Sequence, residues 1–208
     1  IIEPTTGLSL NDLGFKATIT LQNKHCQIEL TAGFPIKLVA DNLEHLIHDY
    51  LTNNFPLLDF KISFNHFIKA HRTQLVGKGL RGVKNTIAIA SGKGGVGKST
   101  VAVNLAIILA KAGARVGILD ADIYGPSIPM LLGKEQPVSL QDDRYVPATA
   151  HGIQAMSIAY LTDPEQALIW RGPMLAKSLL QMLDLTLWDN LDYLFIDLPP
   201  GTGDIQQI

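Results

Sequence analysis

A glycine-rich loop, GKGGVGKST at residues 92–100, constrains the fold of this chain more than any other feature. The continuous apolar run TIAIAS (86–91), which predicts a strand buried on both faces, precedes the loop, and a run with helical spacing (98–113) follows it. The loop fits the pattern G-x-x-x-x-G-K-[ST], which joins a buried strand to a helix and cradles phosphate groups. Because both flanking runs have the required character, we favour a phosphate-binding P-loop over a glycine-rich turn that binds nothing.

P-loop chemistry gives each residue of the loop a role. Glycines let backbone N–H groups converge on phosphate oxygens without an intervening Cβ, and the helix N-terminus adds its positive end. We predict that Lys98 reaches the β- and γ-phosphates of a nucleoside triphosphate, that the Ser99 hydroxyl binds Mg²⁺, and that Thr100 lies near the α-phosphate. The predicted nucleotide-binding residues of the loop are Gly92, Gly94, Gly95, Val96, Gly97, Lys98, Ser99 and Thr100.

Two further strand-like runs end in aspartates. Asp120 and Asp122 close the run RVGILDAD, and Asp197 closes the run YLFID. The carboxyl ends of parallel strands meet at one edge of the sheet, where ligands bind in such folds, so we expect the three carboxylates to converge on the loop. We predict that Asp120, Asp197 and Ser99 surround the Mg²⁺. A turn or helix-capping role is the alternative for each aspartate, and their convergence favours a functional role.

The segment PPGTG at residues 199–203 directly follows the aspartate of the last strand. Its position at the same sheet edge is that of a γ-phosphate sensor. We predict that the backbone N–H of Gly201 contacts the γ-phosphate.

The order of elements from residue 85 predicts an α/β domain. Apolar strands alternate with helices over 85–208, which indicates a parallel sheet with helices on both faces. Further strands are expected at 152–160 and 191–201, with a helix at 174–183. We interpret 133–151 as a long surface excursion. A parallel sheet that stops after this last strand lacks later strands, so we expect the ATPase domain to be incomplete at its C-terminus.

The N-terminal part, residues 1–68, reads as a separate small α+β domain. Alternating apolar residues predict strands, and helical spacing predicts one helix that covers the sheet. A basic, glycine-containing stretch at 69–84 then reads as a linker. The predicted elements of the small domain are strands 15–22, 26–32 and 57–66 and a helix over 36–51.

Composition argues against several classes of function. The formal net charge is −2 and charged residues make up 17% of the chain, so we expect no nucleic-acid partner. No apolar run approaches the roughly 18 residues that a membrane span needs, and we expect no membrane partner and a cytoplasmic location.

The single cysteine, Cys26, excludes a disulfide framework and reads as a small buried hydrophobe. His45 and His48 are three apart on the predicted helix, but without a third ligand they read as a solvated face.

Several motifs make the chain similar to a known group of ATPases. The loop GKGGVGKST, with lysines at 93 and 98, resembles the deviant Walker A motif of the SIMIBI class. The stretches LDADIYGPSIPMLLG, MSIAYL, WRGPM and DYLFIDLPPGTGDIQ resemble the Mrp/ApbC branch, the iron–sulfur cluster carrier ATPases. The first 68 residues resemble the MIP18-type domain that bacterial members carry ahead of the ATPase. Members of that domain type often have a cysteine before the helix proline, where this chain has Phe34.

The resemblance implies roles for individual residues. It implies that Lys93 reaches across a homodimer interface to the nucleotide of the other subunit, whereas a solvated loop lysine is the alternative. It also implies that Asp122 positions the attacking water and that Asp197 is the Walker B acid. Lys93, Lys98 and Asp122 are therefore the predicted catalytic residues of a slow, dimer-dependent ATP hydrolase.

The same resemblance implies a cargo. ATP and Mg²⁺ would drive the binding of a [4Fe–4S] cluster and its transfer to apoproteins, with iron–sulfur assembly proteins as further partners. In the family, a CxxC motif downstream of the region seen here ligates the cluster, and this sequence contains no such motif. Two other functions stay open: a MinD- or ParA-like ATPase that organises membrane or DNA, and an adaptor whose nucleotide only locks its shape.

Overall fold

The structure, a computed structural model, describes residues 1–71, 79–123, 125–134, 138–161 and 172–201. It divides into two compact units. The first is Ile1–Lys69 with Lys111–Gly113, and the second is Ala70–Ala110 with Ala114–Ile208. Residues 72–78 of the predicted linker lie outside the described residues, and the proposed domain boundaries stay a prediction.

The first unit has the predicted order of strand, strand, helix, strand. Its three-stranded sheet runs β1-β2-β3, with β1 antiparallel to β2 and β2 parallel to β3. The parallel pair is possible because the helix carries the chain back across the sheet. These elements are β1 (Lys16–Gln22), β2 (His25–Ala32), α1 (Ala40–Asn54) and β3 (Asp59–His66).

One apolar core holds the first unit together. It joins alternate residues of β2 to β3 and to one stripe of α1. Cys26 is one of its members and is only 7% exposed, which confirms the interpretation of this cysteine as a buried hydrophobe. The buried members are Cys26, Ile28, Leu30, Leu43, Ile47 and Ile62.

The second unit is built on a five-stranded sheet in the order β4-β10-β5-β9-β8. Its first four strands are parallel, which confirms the predicted α/β class. The strands and helices of this unit are β4 (Val83–Ile89), α2 (Lys98–Lys111), β5 (Val116–Asp120), α3 (Ile128–Leu132), β6 (Leu140–Gln141), β7 (Arg144–Tyr145), β8 (Ala148–Ala150), β9 (Ile153–Ser157), a 3-10 helix (Ile158–Tyr160), α4 (Gly172–Leu185) and β10 (Leu191–Asp197).

The surface excursion predicted for 133–151 is wrong in part. β6 and β7 form a small hairpin there, and β8 adds an antiparallel edge strand to the main sheet. A two-residue turn at His151 and Gly152 joins β8 to β9, with φ values of +50° and +80° that suit this tight hairpin. β8 has only three residues, too few to show an alternating pattern in the sequence.

The prediction that the strand before the loop is buried on both faces is also wrong. Thr86 and Ala88, which lie two apart and so on one face of β4, are exposed, and β4 lies at the edge of the sheet among the described residues. β4 also begins at Val83, inside the predicted linker. β5, in contrast, is buried at all five positions. No helix in the described residues has the length and apolar character to cross a bilayer.

Asp192, at the start of β10, ties three strands of the main sheet together. Its carboxylate accepts a hydrogen bond from Lys84 Nζ at 2.7 Å and another from the Arg115 backbone N–H at 2.9 Å. Burial alone would raise the pKa of Asp192, but the contacts with Lys84 and Arg115 outweigh it and hold the pKa below its usual value.

We expect Asp192→Asn to lower the free energy of unfolding at pH 7 by about 1–3 kcal/mol, because it removes the charge from these hydrogen bonds. The folded-state pKa is depressed, so this contribution is complete above the unfolded pKa and is lost as the pH falls through the folded pKa. Urea unfolding of the wild type and of Asp192→Asn would therefore show a difference in the free energy of unfolding that is smaller near pH 3 than at pH 7. The exposed Asp189→Asn is the matched control, and a difference for Asp192→Asn that is equal at both pH values would contradict the prediction.

Candidate nucleotide-binding site

The P-loop lies where the sequence places it, between β4 and the first turn of α2. Gly95 and Gly97 have φ values of +74° and +87°, in the region that side chains with a Cβ rarely adopt. These two positions therefore require glycine for the backbone to turn. An open pocket adjoins the loop and is lined by residues that include Lys93, Gly97, Lys98, Thr100, Asp122 and Pro200.

The centre of the site is a contact between the loop and the end of β10. Lys98 Nζ donates to Asp197 Oδ1 at 2.5 Å, and Ser99 Oγ donates to Asp197 Oδ2 at 2.5 Å. Asp197 is fully buried, and the Lys98 side chain is 6% exposed. Both carboxylate oxygens of Asp197 thus hold the two P-loop side chains expected to bind phosphate and Mg²⁺.

Asp122 lies on the open side of this cluster. Its Oδ2 is 4.0 Å from Lys98 Nζ, and its side chain is 15% exposed. Partial burial raises the pKa of Asp122, and the positive charge of Lys98 opposes this shift. The carboxylate therefore faces both the P-loop lysine and the pocket.

Asp120 is buried behind Asp122 and is engaged on both of its oxygens. Oδ1 accepts from the Asp122 N–H at 3.1 Å, and Oδ2 accepts from the Ile128 N–H at 3.1 Å and Ser157 Oγ at 3.2 Å. Burial raises the pKa of Asp120 to about 7, and the charge of Asp197, its partner across the parallel ladder, adds to the effect. The structure thus brings all three predicted acids to one edge of the sheet, while a direct contact of Asp120 with Mg²⁺ stays a prediction.

The remaining predicted residues lie around the pocket. The Gly201 N–H donates to the Ser91 carbonyl at 2.9 Å, so a contact with the γ-phosphate would require this bond to break. Lys93 is exposed, and its carbonyl accepts from Ser91 Oγ at 3.0 Å. Across the described parts of the chain, the Lys93 ammonium has no ion-pair partner. Gly92, Gly94, Val96 and Thr100 are exposed along the loop.

Ser157 is a site residue that the sequence reasoning missed. It ends β9 at the position that pairs with Asp120 in the neighbouring strand, and it is fully buried. The only available signal was a serine closing an apolar run, QAMS, at the same sheet edge as the aspartates. A serine in that place is ordinary, so strand pairing was needed to identify its partner.

Comparison with known proteins places the chain in a family. A family model described as a NUBPL iron-transfer P-loop NTPase, of the ParA group, matches residues 82–207. The chain belongs to this family. The resemblance to iron–sulfur carrier ATPases drawn from the loop and strand-end motifs is thereby confirmed, as is the P-loop NTPase fold.

Relatives of this NTPase chain carry a common name. The iron–sulfur cluster carrier protein of Salmonella typhimurium is 55% identical over 152 residues, which cover 72% of this chain and 40% of the relative. The protein of the same name from Deinococcus radiodurans is 42% identical over 206 residues, 98% of this chain and 58% of the relative. The chain thus spans about half the length of the curated relatives that it matches.

A solved structure supports the fold of the NTPase unit. The nucleotide-binding protein from Archaeoglobus fulgidus, determined in complex with ADP, is 46% identical with a TM-score of 0.52. The match covers 60% of this chain and 48% of that chain. This likeness supports the assignment of the second unit to nucleotide-binding P-loop proteins.

The loop geometry predicts different tolerances for two glycines. We expect Gly97→Ala to lower the free energy of unfolding by about 1–2 kcal/mol, because alanine is strained at a left-handed φ. Gly92→Ala is the matched control, because Gly92 lies outside that region and a Cβ there meets nothing within 4 Å. Urea unfolding without nucleotide measures both, and equal losses for the two variants would refute this reading of the loop.

Proposed function

We propose that this protein binds and hydrolyses ATP with Mg²⁺ and uses the cycle to bind iron–sulfur clusters and transfer them to apoproteins. It acts as a homodimer in the cytoplasm, and iron–sulfur assembly proteins are among its partners. The observation that carries the proposal is the joining of Lys98 and Ser99 to the buried Asp197, beside a loop whose second lysine has no ion-pair partner among the described residues. The shared name of the relatives supports the cargo.

The donor set fits a magnesium ion. Ser99 Oγ, Asp197 and Asp120 offer only oxygen atoms, which Mg²⁺ prefers. The two carboxylates also occupy paired positions on adjacent strands, and a cation, the Lys98 ammonium, already lies against Asp197. Ser99 and Asp197 would hold the ion, with Asp120 paired to Asp197 on the neighbouring strand. The ion would supply positive charge to neutralise the phosphate oxygens.

Nucleotide binding in this proposal replaces contacts that already exist. Lys98 would leave Asp197 and turn to the β- and γ-phosphates, and the Ser99 hydroxyl, no longer donating to Asp197, would hold the metal. The loop N–H groups and the start of α2 take the remaining phosphate oxygens. The Gly201 N–H leaves Ser91 to meet the γ-phosphate, so the end of β10 responds to the third phosphate.

Hydrolysis in this proposal depends on two groups at the open side of the pocket. Asp122 accepts a hydrogen bond from the attacking water and orients it towards the γ-phosphate. Lys93 extends from one subunit to the phosphates of the other and stabilises charge that develops in the transition state. An exposed ammonium is suited to this role, because it forms no ion pair within the described parts of the chain that it would have to break on moving.

The cluster is cargo, and thiolates are its usual ligands. The single cysteine of this sequence, Cys26, is buried in the core of the first unit. We therefore assign no cluster ligand within these residues. In the proposal the chain supplies the nucleotide-driven part of the transfer.

Replacement of Lys98 and replacement of Lys93 should cause different functional defects. We expect Lys98→Ala to lose ATP binding, and Lys93→Ala to keep it but hydrolyse about 10³-fold more slowly and fail to dimerise with ATP. Fluorescent-nucleotide titration, phosphate release and light scattering measure these properties, with Lys24→Ala, on the exposed turn between β1 and β2, as the control.

Cluster delivery is tested with the same variants. The protein is loaded anaerobically with iron and sulfide, and cluster transfer to an apoprotein is followed by absorbance. If neither lysine change affects hydrolysis or delivery, the carrier proposal is wrong. Lys93-dependent hydrolysis without cluster binding would instead support the organiser function, and nucleotide binding without hydrolysis or cluster binding would support the adaptor.

Asp122→Asn should uncouple binding from chemistry. We expect ATP affinity within about twofold of wild type and a rate of hydrolysis lowered about 10²-fold, because the amide is a poor acceptor for the water proton. The measurement is a single-turnover assay at saturating ATP. Wild-type hydrolysis by Asp122→Asn would remove Asp122 from the mechanism.

A further inference from the structure

A buried hydrogen-bond cluster, formed by Asp120 and Ser157, lies behind the predicted catalytic aspartate. Ser157 Oγ accepts from the Ala159 backbone N–H at 3.3 Å, which leaves its hydroxyl proton free for Asp120 Oδ2 at 3.2 Å. Both side chains are fully excluded from solvent. The serine hydroxyl is therefore fixed in direction and points at one carboxylate oxygen.

The same carboxylate holds the backbone at two places beyond β5. Oδ1 accepts from the N–H of Asp122, and Oδ2 accepts from the N–H of Ile128, the first residue of α3. Asp120 thus joins three parts of the chain, which are Ser157 at the end of β9, the backbone of Asp122 and the start of α3. Moving this carboxylate would move the backbone that carries Asp122.

Stability alone does not account for this arrangement. A buried carboxylate is expensive to desolvate, and well-packed apolar residues often stabilise such a position equally well or better. The polar cluster fixes the orientation of the groups around it, because each hydrogen bond holds one backbone or side-chain atom in place. Of the residues fixed in this way, Asp122 faces the pocket, and its carboxylate lies 4.0 Å from Lys98 Nζ.

We propose that Ser157 is a positioning residue for ATP hydrolysis: its hydroxyl orients the Asp120 carboxylate, which in turn holds the Asp122 backbone and aims the Asp122 side chain at the attacking water. This inference rests on the proposed function. It assigns Asp120 a role in shaping the site through its hydrogen bonds to protein, in addition to the place beside Mg²⁺ predicted for it.

The test is the steady-state kinetics of Ser157→Ala. We expect kcat to fall about tenfold, the value of one hydrogen bond to a charged group, while the KM for ATP stays within about twofold. Ser157→Cys keeps a weak donor of similar size and should give an intermediate rate. Thr186→Val is the matched control, because Thr186 is a buried hydroxyl that donates to Met182 before β10 begins. It should leave kcat unchanged.

Combination with Asp122→Asn separates positioning from a general structural effect. If Ser157 acts through Asp122, Ser157→Ala should not lower the residual rate of the Asp122→Asn protein further. Amide exchange at Asp122 and Ile128 should also become faster in Ser157→Ala, with or without ATP. The same tenfold loss in both backgrounds, a KM effect without a kcat effect, or an unchanged kcat would each overturn the inference.

The two levels of the proposal fail in different ways. A wild-type protein that hydrolyses no ATP would overturn the proposed function together with the role of Ser157 in it. A wild-type protein that hydrolyses ATP while Ser157→Ala and Ser157→Cys keep its full kcat would overturn only the positioning role.

Discussion

The contact of Asp197 with Lys98 and Ser99 is the interaction on which the rest of the site depends. It joins the end of β10 to the start of α2 through two hydrogen bonds made by a fully buried carboxylate. The loop between β4 and α2 is consequently held against the sheet edge before any ligand binds. The glycines allow the backbone of the loop to turn, and Asp197 holds the end of the loop in place through Lys98 and Ser99.

Parallel strand pairing places the acids where the loop needs them. Asp197 and Asp120 stand opposite each other in neighbouring strands, and Ser157 stands opposite Asp120 in the next. One register therefore aligns three polar groups across the carboxyl edge of the sheet. At the opposite end of the strands, Asp192 joins β10 to Lys84 of β4 and to Arg115, the residue before β5. Both ends of β10 therefore make polar contacts with neighbouring strands.

Features encoded locally were predictable from the sequence. The P-loop needs a short motif and two flanking runs, and the burial of β5 follows from an uninterrupted apolar run. Features set by distant neighbours were not predictable. The exposure of one face of β4 depends on what packs against that face, and the role proposed for Ser157 depends on its register with Asp120. The three residues of β8 are too few to carry a pattern.

The hydrogen bond from Gly201 to the Ser91 carbonyl links the two strands that bracket the pocket. Ser91 follows β4 directly before the loop, and its hydroxyl donates to the carbonyl of Lys93. One residue thus connects the end of β10 with the lysine proposed to reach the other subunit. If the third phosphate of a nucleotide accepts the Gly201 N–H, the Ser91 carbonyl loses this hydrogen bond. Ser91 is also the residue whose hydroxyl donates to the Lys93 carbonyl. In the proposed dimer, the length of the phosphate chain would in this way reach the loop of Lys93 through a single carbonyl group.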